Sequence, residues 1–399
     1  MVKIALLGFG IVGSGTAEVL TENKEIIKNK VGCDYEIKYI LDLRDFPDSP
    51  FADKIVHDIN VIINDPEISV VAEMMGGSHP AYEFTRTCLE AGKSVVTSNK
   101  EVVSTFGAEL CNIAAENGVR YLFEASVGGG IPIIRPLIND LSSNKITRIC
   151  GILNGTTNYI LTAMRDKGAD FCEALTTAQK LGYAEANPAA DVDGIDAARK
   201  TAILAAIASG KLIDPKTIHT EGISKITLTD TKVCASFGFA IKLIGYAEVN
   251  DGKIIALVSP RAIPSSNPLG HINDVLNGVL VNANMVGEVM FYGPGAGKLP
   301  TASAVVADII DVIENRDNPT KIIEWNIADS DDVADLKSYS CRRVIIFADN
   351  STAVKLPAGE LKSCNGIYGL LTDNALTEAE MDKLLNELGS SIISTYRVL

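Results

Sequence analysis

The sequence predicts an α/β protein that begins with a doubly wound parallel sheet, continues as an α+β domain and ends in a small module. Over the first 130 residues, short apolar runs alternate with helical stretches, which is typical of parallel strands with helices on both faces. From about residue 131, helices are followed by strand-like segments instead. A chain of 399 residues also exceeds one ordinary core, so we expect two or three domains.

The strand and helix candidates follow from hydrophobic periodicity. The run at 2–7 ends at a glycine, as a buried strand before a tight turn does, and residues 11–28 have helical spacing. The other strand candidates of the first domain are 36–41, 59–63, 70–74, 94–97 and 119–124, with helices at 80–91 and 104–117. In the second domain, helices are predicted at 172–182 and 193–210, and strands at 254–264 and 278–292.

These segments indicate three domains. The first spans residues 1–130 and the second spans 131–302, and a helix at 303–318 is expected to pack back onto the first domain. Residues 316–325 are predicted as a linker, and 319–399 as a C-terminal domain.

Composition and charge narrow the classes of function. Hydrophobic residues make up 47% of the chain and charged residues 22%, as in globular proteins. The formal net charge of -14 argues against a nucleic-acid partner, because binding phosphates requires basic clusters. The N-terminal apolar run is too short for a signal peptide, and no stretch reaches the roughly 18 apolar residues of a membrane span. We therefore expect a cytoplasmic protein.

The cysteines and histidines follow no metal-binding pattern. The eight cysteines include no CxxC pair, so free thiols in a reducing compartment are the simplest interpretation. None of the four histidines lies in an HExxH motif or beside a cysteine pair. We therefore expect no zinc site.

The clearest cofactor motif is a glycine loop between the first strand and the first helix. It reads Gly8-Phe9-Gly10-Ile11-Val12-Gly13, which is GxGxxG. The first glycine permits a tight turn, the second lets the backbone approach a pyrophosphate, and the third allows close packing of helix and strand. This Rossmann-type loop predicts a bound dinucleotide, with a ligand-free glycine turn as the alternative.

The end of the second strand bears on the choice between NAD and NADP. Asp42 stands where a carboxylate would accept hydrogen bonds from the ribose hydroxyls of NAD. Arg44 could instead pair with the 2′-phosphate of NADP. Both residues could also be solvated loop charges, and the sequence leaves the preference open.

Later strand ends supply further candidates, since ligands of open α/β sheets bind beyond the carboxyl ends of the strands. Glu73-Met74-Met75-Gly76-Gly77 follows one strand, and Thr97-Ser98-Asn99-Lys100 follows the next. Lys100 is therefore a candidate catalytic or binding ammonium. The alternative is a surface lysine at the start of a helix.

Residues 178–200 concentrate carboxylates ahead of a single lysine. The carboxylates are Glu185, Asp191, Asp193 and Asp196. Asp196 and Lys200 are spaced i,i+4 on a predicted helix and share a face. The carboxylates could bind a substrate ammonium while the lysine shares a proton with a carbonyl oxygen. An acidic loop with a surface ion pair is the alternative.

This segment resembles the signature of the homoserine dehydrogenase family: Ala-x3-Gly, then Asn/Asp-Pro-x2-Asp, then Gly-x-Asp-x3-Lys. The fixed positions are met by Ala178, Gly182, Asn187, Pro188, Asp191, Gly194, Asp196 and Lys200. The segments 123–128, 154–161 and 293–304 also resemble the family. The resemblance covers about residues 1–318 and is weak beyond them.

The resemblance implies a reversible interconversion of homoserine and aspartate semialdehyde with NAD or NADP, by a homodimer. The catalytic residues that it implies are Lys200, Lys100 and Asp196. Around the substrate it implies Glu185, Asp191, Tyr183 and Lys100. With the strand ends above, the residues expected at the dinucleotide are Gly8, Phe9, Gly10, Ile11, Val12, Gly13, Asp42, Arg44, Gly76, Thr97, Ser98, Lys100 and Gly293.

The resemblance further implies a monovalent cation, Na⁺ or K⁺, held largely by carbonyl oxygens. The matching positions are Glu124, Val127, Gly129 and Ile131. A tight loop of carbonyls with one carboxylate suits a hard cation. A glycine hinge between domains is the alternative.

Two other classes of function fit parts of the sequence. Residues 154–158 resemble the Cys-Thr-Thr-Asn motif of aldehyde dehydrogenases that form a thioester, but Gly155 stands where the nucleophilic thiol is needed. A semialdehyde dehydrogenase of that type is therefore disfavoured. A non-catalytic dinucleotide sensor would not need Lys100, Glu185, Asp191 and Lys200 together.

The tail, residues 338–399, resembles an ACT-like regulatory module, which many members of the family carry. Its predicted elements are strands at 343–347, 366–371 and 392–398 and a helix at 377–387, for which Thr377 is a suitable N-cap. The first helix of such a module is missing or reduced to 349–359. A degenerate appendage is therefore the alternative to a threonine sensor. Because the tail holds no candidate catalytic residue, we expect it to be separable from the chemistry.

Overall fold

The computed structural model describes residues 1–316 and 323–399, and the chain divides into two compact units. The first unit comprises residues 1–143, 202–215 and 293–328, and the second comprises 144–201, 216–292 and 329–399. Both units are thus assembled from separate stretches of chain. Residues 317–322 lie outside the described residues. They make up most of the predicted linker at 316–325 and contain the predicted boundary at 318/319.

The main sheet of the first unit is parallel and doubly wound, as predicted. Its strands are β1 (Val2–Leu7), β2 (Tyr35–Leu41), β3 (Ile55–Val56), β4 (Ile68–Glu73), β5 (Ser94–Thr97) and β6 (Tyr121–Leu122), in the order β3-β2-β1-β4-β5-β6. Its helices include α1 (Ile11–Glu22), α2 (Lys24–Val31), α3 (Asn60–Ile63), α4 (Ala81–Glu90) and α5 (Lys100–Glu116). This strand order is that of two mononucleotide-binding halves joined at a switch point.

The central strand β1 explains why the ends of several strands meet at one edge. Its residues 4–7 are fully buried, as expected of a strand covered on both faces. Leu7 is paired with Leu41 of β2 on one side and with Glu73 of β4 on the other. The loops that follow these three strands therefore begin at the same level of the sheet.

One predicted strand is wrong. Residues 59–63 contain the short helix α3, and the strand that extends the sheet beyond β2 is β3. A short apolar run fits a strand or a helical turn equally well by periodicity. Only Ile62 of this helix is buried, so the run covers the core with one side chain rather than forming part of the sheet.

A helix from late in the chain packs in the first unit. This helix, α11 (Lys298–Glu314), places Val305, Ile309 and Ile313 in the same core as Ile4 and Leu6 of β1. The helix approaches α1 so closely that a Cβ at Gly15 would lie 2.9 Å from the carbonyl oxygen of Lys298. A small parallel sheet, β8 (Lys211–Leu212) with β14 (Asn326–Ile327), also belongs to this unit.

The second unit is built on a mixed sheet with helices. Its helices are α6 (Gly155–Lys167), α7 (Phe171–Lys180), α8 (Ala189–Val192), α10 (Leu228–Ser236) and α12 (Glu378–Leu388), together with the first part of α9 (Ile195–Ser209), whose residues 202–209 belong to the first unit. Its strands are β7 (Ile146–Ile152), β9 (His219–Thr220), β10 (Phe239–Asn250), β11 (Lys253–Pro264), β12 (Leu276–Ala283), β13 (Gly287–Pro294), β15 (Ser340–Cys341), β16 (Arg343–Phe347), β17 (Gly359–Cys364), β18 (Ile367–Thr372), β19 (Leu376–Thr377) and β20 (Ile392–Val398). The predicted strand at 278–292 is wrong as a single element, because β12 and β13 are separate strands.

The tail continues the same sheet. The strand order is β13-β12-β7-β10-β11-β20-β16-β18-β17, and β20 pairs with β11 through Arg261 and Arg397. Tyr339 is buried in one core with Tyr246, with ring centroids 5.4 Å apart. Removing the tail would expose the β11 edge and this core. The packing therefore argues against the expectation that the tail is separable from the chemistry.

No helix within residues 1–316 and 323–399 is both long enough and apolar enough to cross a bilayer.

Candidate active site

The glycine loop has the geometry that its spacing predicts. Gly8 has a φ of +91°, and a Cβ on it would lie 3.0 Å from the carbonyl oxygen of Met74. A Cβ on Gly13 would collide with the carbonyl of Gly8, so α1 can start this close to β1 only with glycine there. Gly10 faces open space, which leaves room for a pyrophosphate at the start of α1.

The loop forms part of a cleft in the first unit with a volume of about 440 Å³. Five residues predicted at the dinucleotide line it: Gly8, Gly10, Asp42, Arg44 and Gly76. The other lining residues are Leu41, Leu43, His57, Met74, Met75, Pro80 and Phe84. The cleft thus follows the carboxyl ends of β1, β2 and β4, where a dinucleotide binds in a sheet of this order.

Asp42 is bound to the glycine loop itself. Its Oδ2 accepts a hydrogen bond from the backbone N–H of Phe9 at 2.8 Å, and Arg44 donates to its two oxygens at 3.0 and 3.1 Å. Partial burial would raise the pKa of Asp42, but the hydrogen bonds from Arg44 and Phe9 outweigh it and lower the pKa to about 2. Arg44 is largely exposed. Asp42 is therefore a fixed anion, and its partner Arg44 is reached by solvent.

Glu73 organises the loops after β4 and β5, a role that the sequence analysis missed. This buried carboxylate accepts hydrogen bonds from the Met75 N–H at 2.6 Å and the Thr97 hydroxyl at 2.5 Å. Asn99 donates to the carbonyl of Gly77 at 2.7 Å, which ties the same two loops together. The available signal was a glutamate at the end of an otherwise apolar strand.

The same contacts define the places of Thr97, Ser98 and Lys100. The hydroxyl of Thr97 is occupied by Glu73, and the N–H of Ser98 donates to the carbonyl of Glu73 at 3.2 Å. Lys100 is half-buried and is the first residue of α5, whose N-cap is Asn99. Lys100 thus stands at the carboxyl end of β5, as the sequence predicted.

In the second unit, the structure brings Asp191, Asp196 and Lys200 together around Asn154. The amide of Asn154 donates to Asp191 Oδ1 at 2.7 Å and to Asp196 Oδ2 at 3.0 Å. Lys200 Nζ donates to Asp196 Oδ2 at 2.8 Å and to the carbonyl of Leu153 at 2.7 Å. Asn154 also caps α6 by accepting from the N–H of Thr157. We call these four residues the carboxylate–lysine cluster.

This ion pair is not on the surface, which was the alternative interpretation. The side chains of Lys200 and Asp196 are only 10% and 7% exposed. A buried ammonium is costly unless it is paired and its hydrogen bonds are met. The arrangement therefore supplies a fixed ammonium with polar partners, which suits proton transfer or stabilisation of a developing oxyanion.

Tyr183 and Glu185 lie at the surface of the same unit. Tyr183 is 43% exposed, and its ring centroid lies 5.2 Å from that of Tyr159. Glu185 is exposed, and its backbone carbonyl accepts a hydrogen bond from Gln179. Their side chains are thus more accessible than the carboxylate–lysine cluster.

In the segment predicted to hold a cation, the carboxylate of Glu124 is occupied by backbone hydrogen bonds. Glu124 accepts hydrogen bonds from three successive N–H groups, those of Ile133 at 2.6 Å, Ile134 at 2.9 Å and Arg135 at 2.6 Å. Any cation at this loop would therefore rely on backbone carbonyls. Among the described residues, no group of three or more His, Cys, Asp or Glu side chains is placed to hold a metal ion.

Gly129 and Gly293 belong to this tight segment. Gly129 has a φ of +56°, and a Cβ on it would overlap the backbone of Gly295. A Cβ on Gly293 would lie 3.4 Å from the side chain of Ile131. Gly293 is thus placed beside the predicted cation loop.

The thioester alternative fails on space and chemistry. A Cβ at Gly155 would lie 2.6 Å from the carbonyl oxygen of Val275, so a cysteine would not fit there. The nearby thiol of Cys150 is buried on β7, and burial raises its pKa to about 11. A thiol of this kind is a poor nucleophile at neutral pH.

Comparison with known proteins identifies relatives over most of the chain. Residues 8–124 match the family profile described as homoserine dehydrogenase, NAD binding domain, and residues 132–310 match that described as homoserine dehydrogenase. A homoserine dehydrogenase from Synechocystis sp. is 45% identical over 320 residues, which are 78% of this chain and 73% of that protein.

Solved structures of homoserine dehydrogenases are also similar to this chain. The crystal structure of a homoserine dehydrogenase from Thiobacillus denitrificans is 32% identical, with a TM-score of 0.92 over 100% of this chain and 98% of that chain. A hyperthermophilic archaeal homoserine dehydrogenase mutant in complex with NADPH is 31% identical, with a TM-score of 0.67 over 78% of this chain and 97% of that one.

Replacing Glu73 by glutamine should change how stability depends on pH. Burial raises the pKa of Glu73 from 4.5 to about 7, against the hydrogen bonds from Thr97 and Met75. Since its folded pKa is raised, its contribution to stability is full below about pH 4.5 and is lost as pH rises to about 7. The loss is about 3 kcal/mol in the wild type and should be absent in Glu73→Gln.

Urea unfolding at pH 5 and pH 8 would measure this effect. The exposed Glu90→Gln is the matched control, and its stability relative to wild type should be nearly independent of pH. A Glu73→Gln variant whose stability relative to wild type is the same at both pH values would contradict the assignment.

Proposed function

The chain belongs to the homoserine dehydrogenase family, and from this premise we propose how its residues support the reaction. It is an oxidoreductase that interconverts L-homoserine and L-aspartate 4-semialdehyde with a nicotinamide dinucleotide. The observation that carries the proposal is the buried carboxylate–lysine cluster. The test of the activity is homoserine-dependent reduction of NAD or NADP without phosphate, followed at the nicotinamide absorbance.

Lys200 is proposed as the acid–base group. The bound nicotinamide supplies hydride to C4 of the aldehyde or accepts it from homoserine. Negative charge then develops on the substrate oxygen during reduction, and the Lys200 ammonium would stabilise that charge and donate a proton. Oxidation of homoserine requires neutral Lys200 to take the proton back. Asp196 and the Leu153 carbonyl would hold Nζ in place in both directions.

The remaining substrate roles follow the family resemblance. Asp191 and Glu185 are proposed to bind the homoserine ammonium, and Tyr183 to line the site. Lys100 is proposed as a second catalytic or binding ammonium. Asp191 is already oriented by Asn154, which supports its role as a fixed carboxylate.

The first unit is proposed to accept either NAD or NADP. The ribose of NAD would face Asp42, whose carboxylate is fixed beneath the glycine loop. NADP would require Arg44 to leave Asp42 and pair with the 2′-phosphate, as its exposure allows. The archaeal relative in complex with NADPH supports NADP as a cofactor of this chain.

We also propose a monovalent cation at the carbonyls of Glu124, Val127, Gly129 and Ile131. The positive φ of Gly128 and Gly129 supports the tight loop that such a site needs. Activity should be higher in sodium or potassium salts than in tetramethylammonium salt at equal ionic strength. Identical activity in all three salts would remove the cation from the proposal.

A homodimer is proposed from the exposed edge strand β13. Met290 is 39% exposed and Tyr292 54%, an apolar surface of the kind that interfaces cover. Sedimentation of the full chain would check the assembly. A cytoplasmic location is proposed because all eight cysteines are free.

The tail is proposed to be an ACT-like module. Its strands are antiparallel in the order β20-β16-β18-β17, with α12 between β18 and β20. A short 3₁₀ segment at Asn350–Lys355 lies between β16 and β17, where such a module has its first helix. Calorimetric titration of the full chain with threonine would separate a working sensor from a degenerate one.

Lys200→Ala should abolish turnover while dinucleotide binding persists. Loss of the proton donor should lower kcat by about 10²- to 10⁴-fold. Dinucleotide binding, followed by nicotinamide fluorescence, reports that the first unit is folded. The exposed Lys180→Ala is the control and should keep wild-type kcat. A Lys200→Ala enzyme with more than half of the wild-type kcat would overturn the proposed role.

Asp42→Ala and Arg44→Ala should move cofactor preference in opposite directions. Asp42→Ala should lower kcat/KM for NAD more than for NADP, because only NAD has the free ribose 2′-hydroxyl that the Asp42 carboxylate would bind. Arg44→Ala should lower kcat/KM for NADP more than for NAD. Both values of kcat/KM, for NAD and for NADP, should be measured in each variant and in wild type. If both variants keep the wild-type NAD/NADP ratio, this pair does not face the adenosine ribose.

A further inference from the structure

Arg397, in the last strand of the chain, is a buried residue with three charged contacts. Its side chain is 7% exposed. Nη1 donates to Glu221 Oε1 at 2.7 Å, while Nε and Nη2 donate to the two oxygens of Glu378 at 2.8 and 3.0 Å. Glu378 also forms an ion pair with Arg343, and Glu221 is also paired with the exposed His219. Arg397 therefore links the tail to the segment that contains Glu221.

Glu221 lies in a loop that packs directly against residues 192–194, within the segment 178–200. The N–H of Ile223 donates to the carbonyl of Val192 at 2.8 Å. A Cβ on Gly222 would lie 2.5 Å from that same oxygen. On the other side, a Cβ on Gly194 would lie 2.9 Å from the side chain of Thr220. The loop at 220–223 thus packs tightly against residues 192–194.

Residues 192–194 connect two members of the carboxylate–lysine cluster. They follow Asp191 at the end of α8 and precede Asp196 at the start of α9. A displacement of this connection would move Asp191 relative to Asn154 and to the Asp196–Lys200 pair on α9. Active-site geometry tolerates little displacement, since about 1 Å of misplacement can cost 10²-fold in rate.

The backbone of Glu221 donates to the carbonyl of Val258 at 2.8 Å, and its side-chain charge ties it in addition to Arg397. Burial would raise the pKa of Glu221, but the hydrogen bond from His219 and the charge and hydrogen bond of Arg397 outweigh it and lower the pKa to about 2. Glu221 is thus an anion held by a buried cation of the tail. Without its carboxylate charge, the loop loses that anchor.

We propose that Glu221 is a positioning residue of the substrate site and that Arg397 holds it. The tail then acts on homoserine binding through Glu221 and the loop at 220–223, without touching the substrate. This inference rests on the proposed function of Asp191, Asp196 and Lys200. It concerns the second unit alone, so dinucleotide binding should be unaffected.

The test is the isosteric Glu221→Gln in the full-length enzyme. We expect kcat/KM for homoserine to fall by roughly 10- to 100-fold, mainly through KM, with an unchanged dissociation constant for the dinucleotide. Glu360→Gln is the matched control, because it removes an exposed ion pair with Lys362 elsewhere in the tail. That variant should keep the wild-type constants.

Arg397→Lys provides a second variant that keeps the positive charge. It should lie between wild type and Glu221→Gln in KM for homoserine, since lysine cannot make the paired hydrogen bonds of a guanidinium. If Glu221→Gln fails to fold, Arg397→Lys alone decides, and an unchanged KM overturns the proposal. A folded Glu221→Gln enzyme that has a lower Tm but wild-type kcat/KM for homoserine also overturns it.

Lys200→Ala, assayed beside these variants, separates this inference from the proposed function. An active Lys200→Ala enzyme would overturn the catalytic assignment on which the inference rests. An inactive Lys200→Ala enzyme together with an unaffected Glu221→Gln would overturn the positioning role alone.

Discussion

Burying the ammonium of Lys200 is the constraint on which the second unit depends. Its charge must be matched inside the protein, because an unpaired buried charge costs several kcal/mol. Asp196, one turn earlier on α9, provides the counter-charge, and Leu153 provides a carbonyl just beyond the end of β7. The helix must therefore run close to the sheet. A Cβ at Gly245 on β10 would overlap the side chain of Thr201, which explains a glycine inside that strand.

The first unit meets a related constraint with a different group. The loops at the carboxyl ends of β4 and β5 must hold a defined shape beside a ligand cleft, although loops there lack ladder hydrogen bonds. Glu73 accepts hydrogen bonds from the N–H of Met75, after β4, and from the hydroxyl of Thr97, at the end of β5. Asn99, after β5, donates to the carbonyl of Gly77 in the loop after β4. The cost is a buried carboxyl group whose pKa is raised to about 7. The dinucleotide edge is thus rigid because a polar side chain is buried beneath it.

Sequence patterns predicted the features that depend on local spacing. The glycine loop follows from three positions in six residues, and the Asp196–Lys200 pair follows from the helical repeat. The alternation of strands and helices likewise predicted the doubly wound sheet. The run at 59–63 failed because five apolar-rich residues do not distinguish a strand from a helical turn.

Features that depend on distant partners could not be predicted in this way. Asn154 meets Asp196 across 42 residues of chain, and Arg397 meets Glu221 across 176. Neither pair has a periodic signature, because the tertiary fold alone brings them together. The place of β20 beside β11 has the same origin, and it changed the expected role of the tail.

The tail contributes strands to the sheet of the second unit, whereas a shorter relative lacks part of this chain. The archaeal structure aligns with 78% of this chain over 97% of its own length, so the remainder of this chain has no counterpart in it. In this chain, however, β11 pairs with β20, and Arg397 and Tyr339 are buried against residues of the second unit. An open β11 edge would present unpaired backbone groups and an uncovered apolar face. The tail is therefore a structural part of the second unit here, and its strands continue the sheet whose strand β7 leads into Asn154 of the carboxylate–lysine cluster.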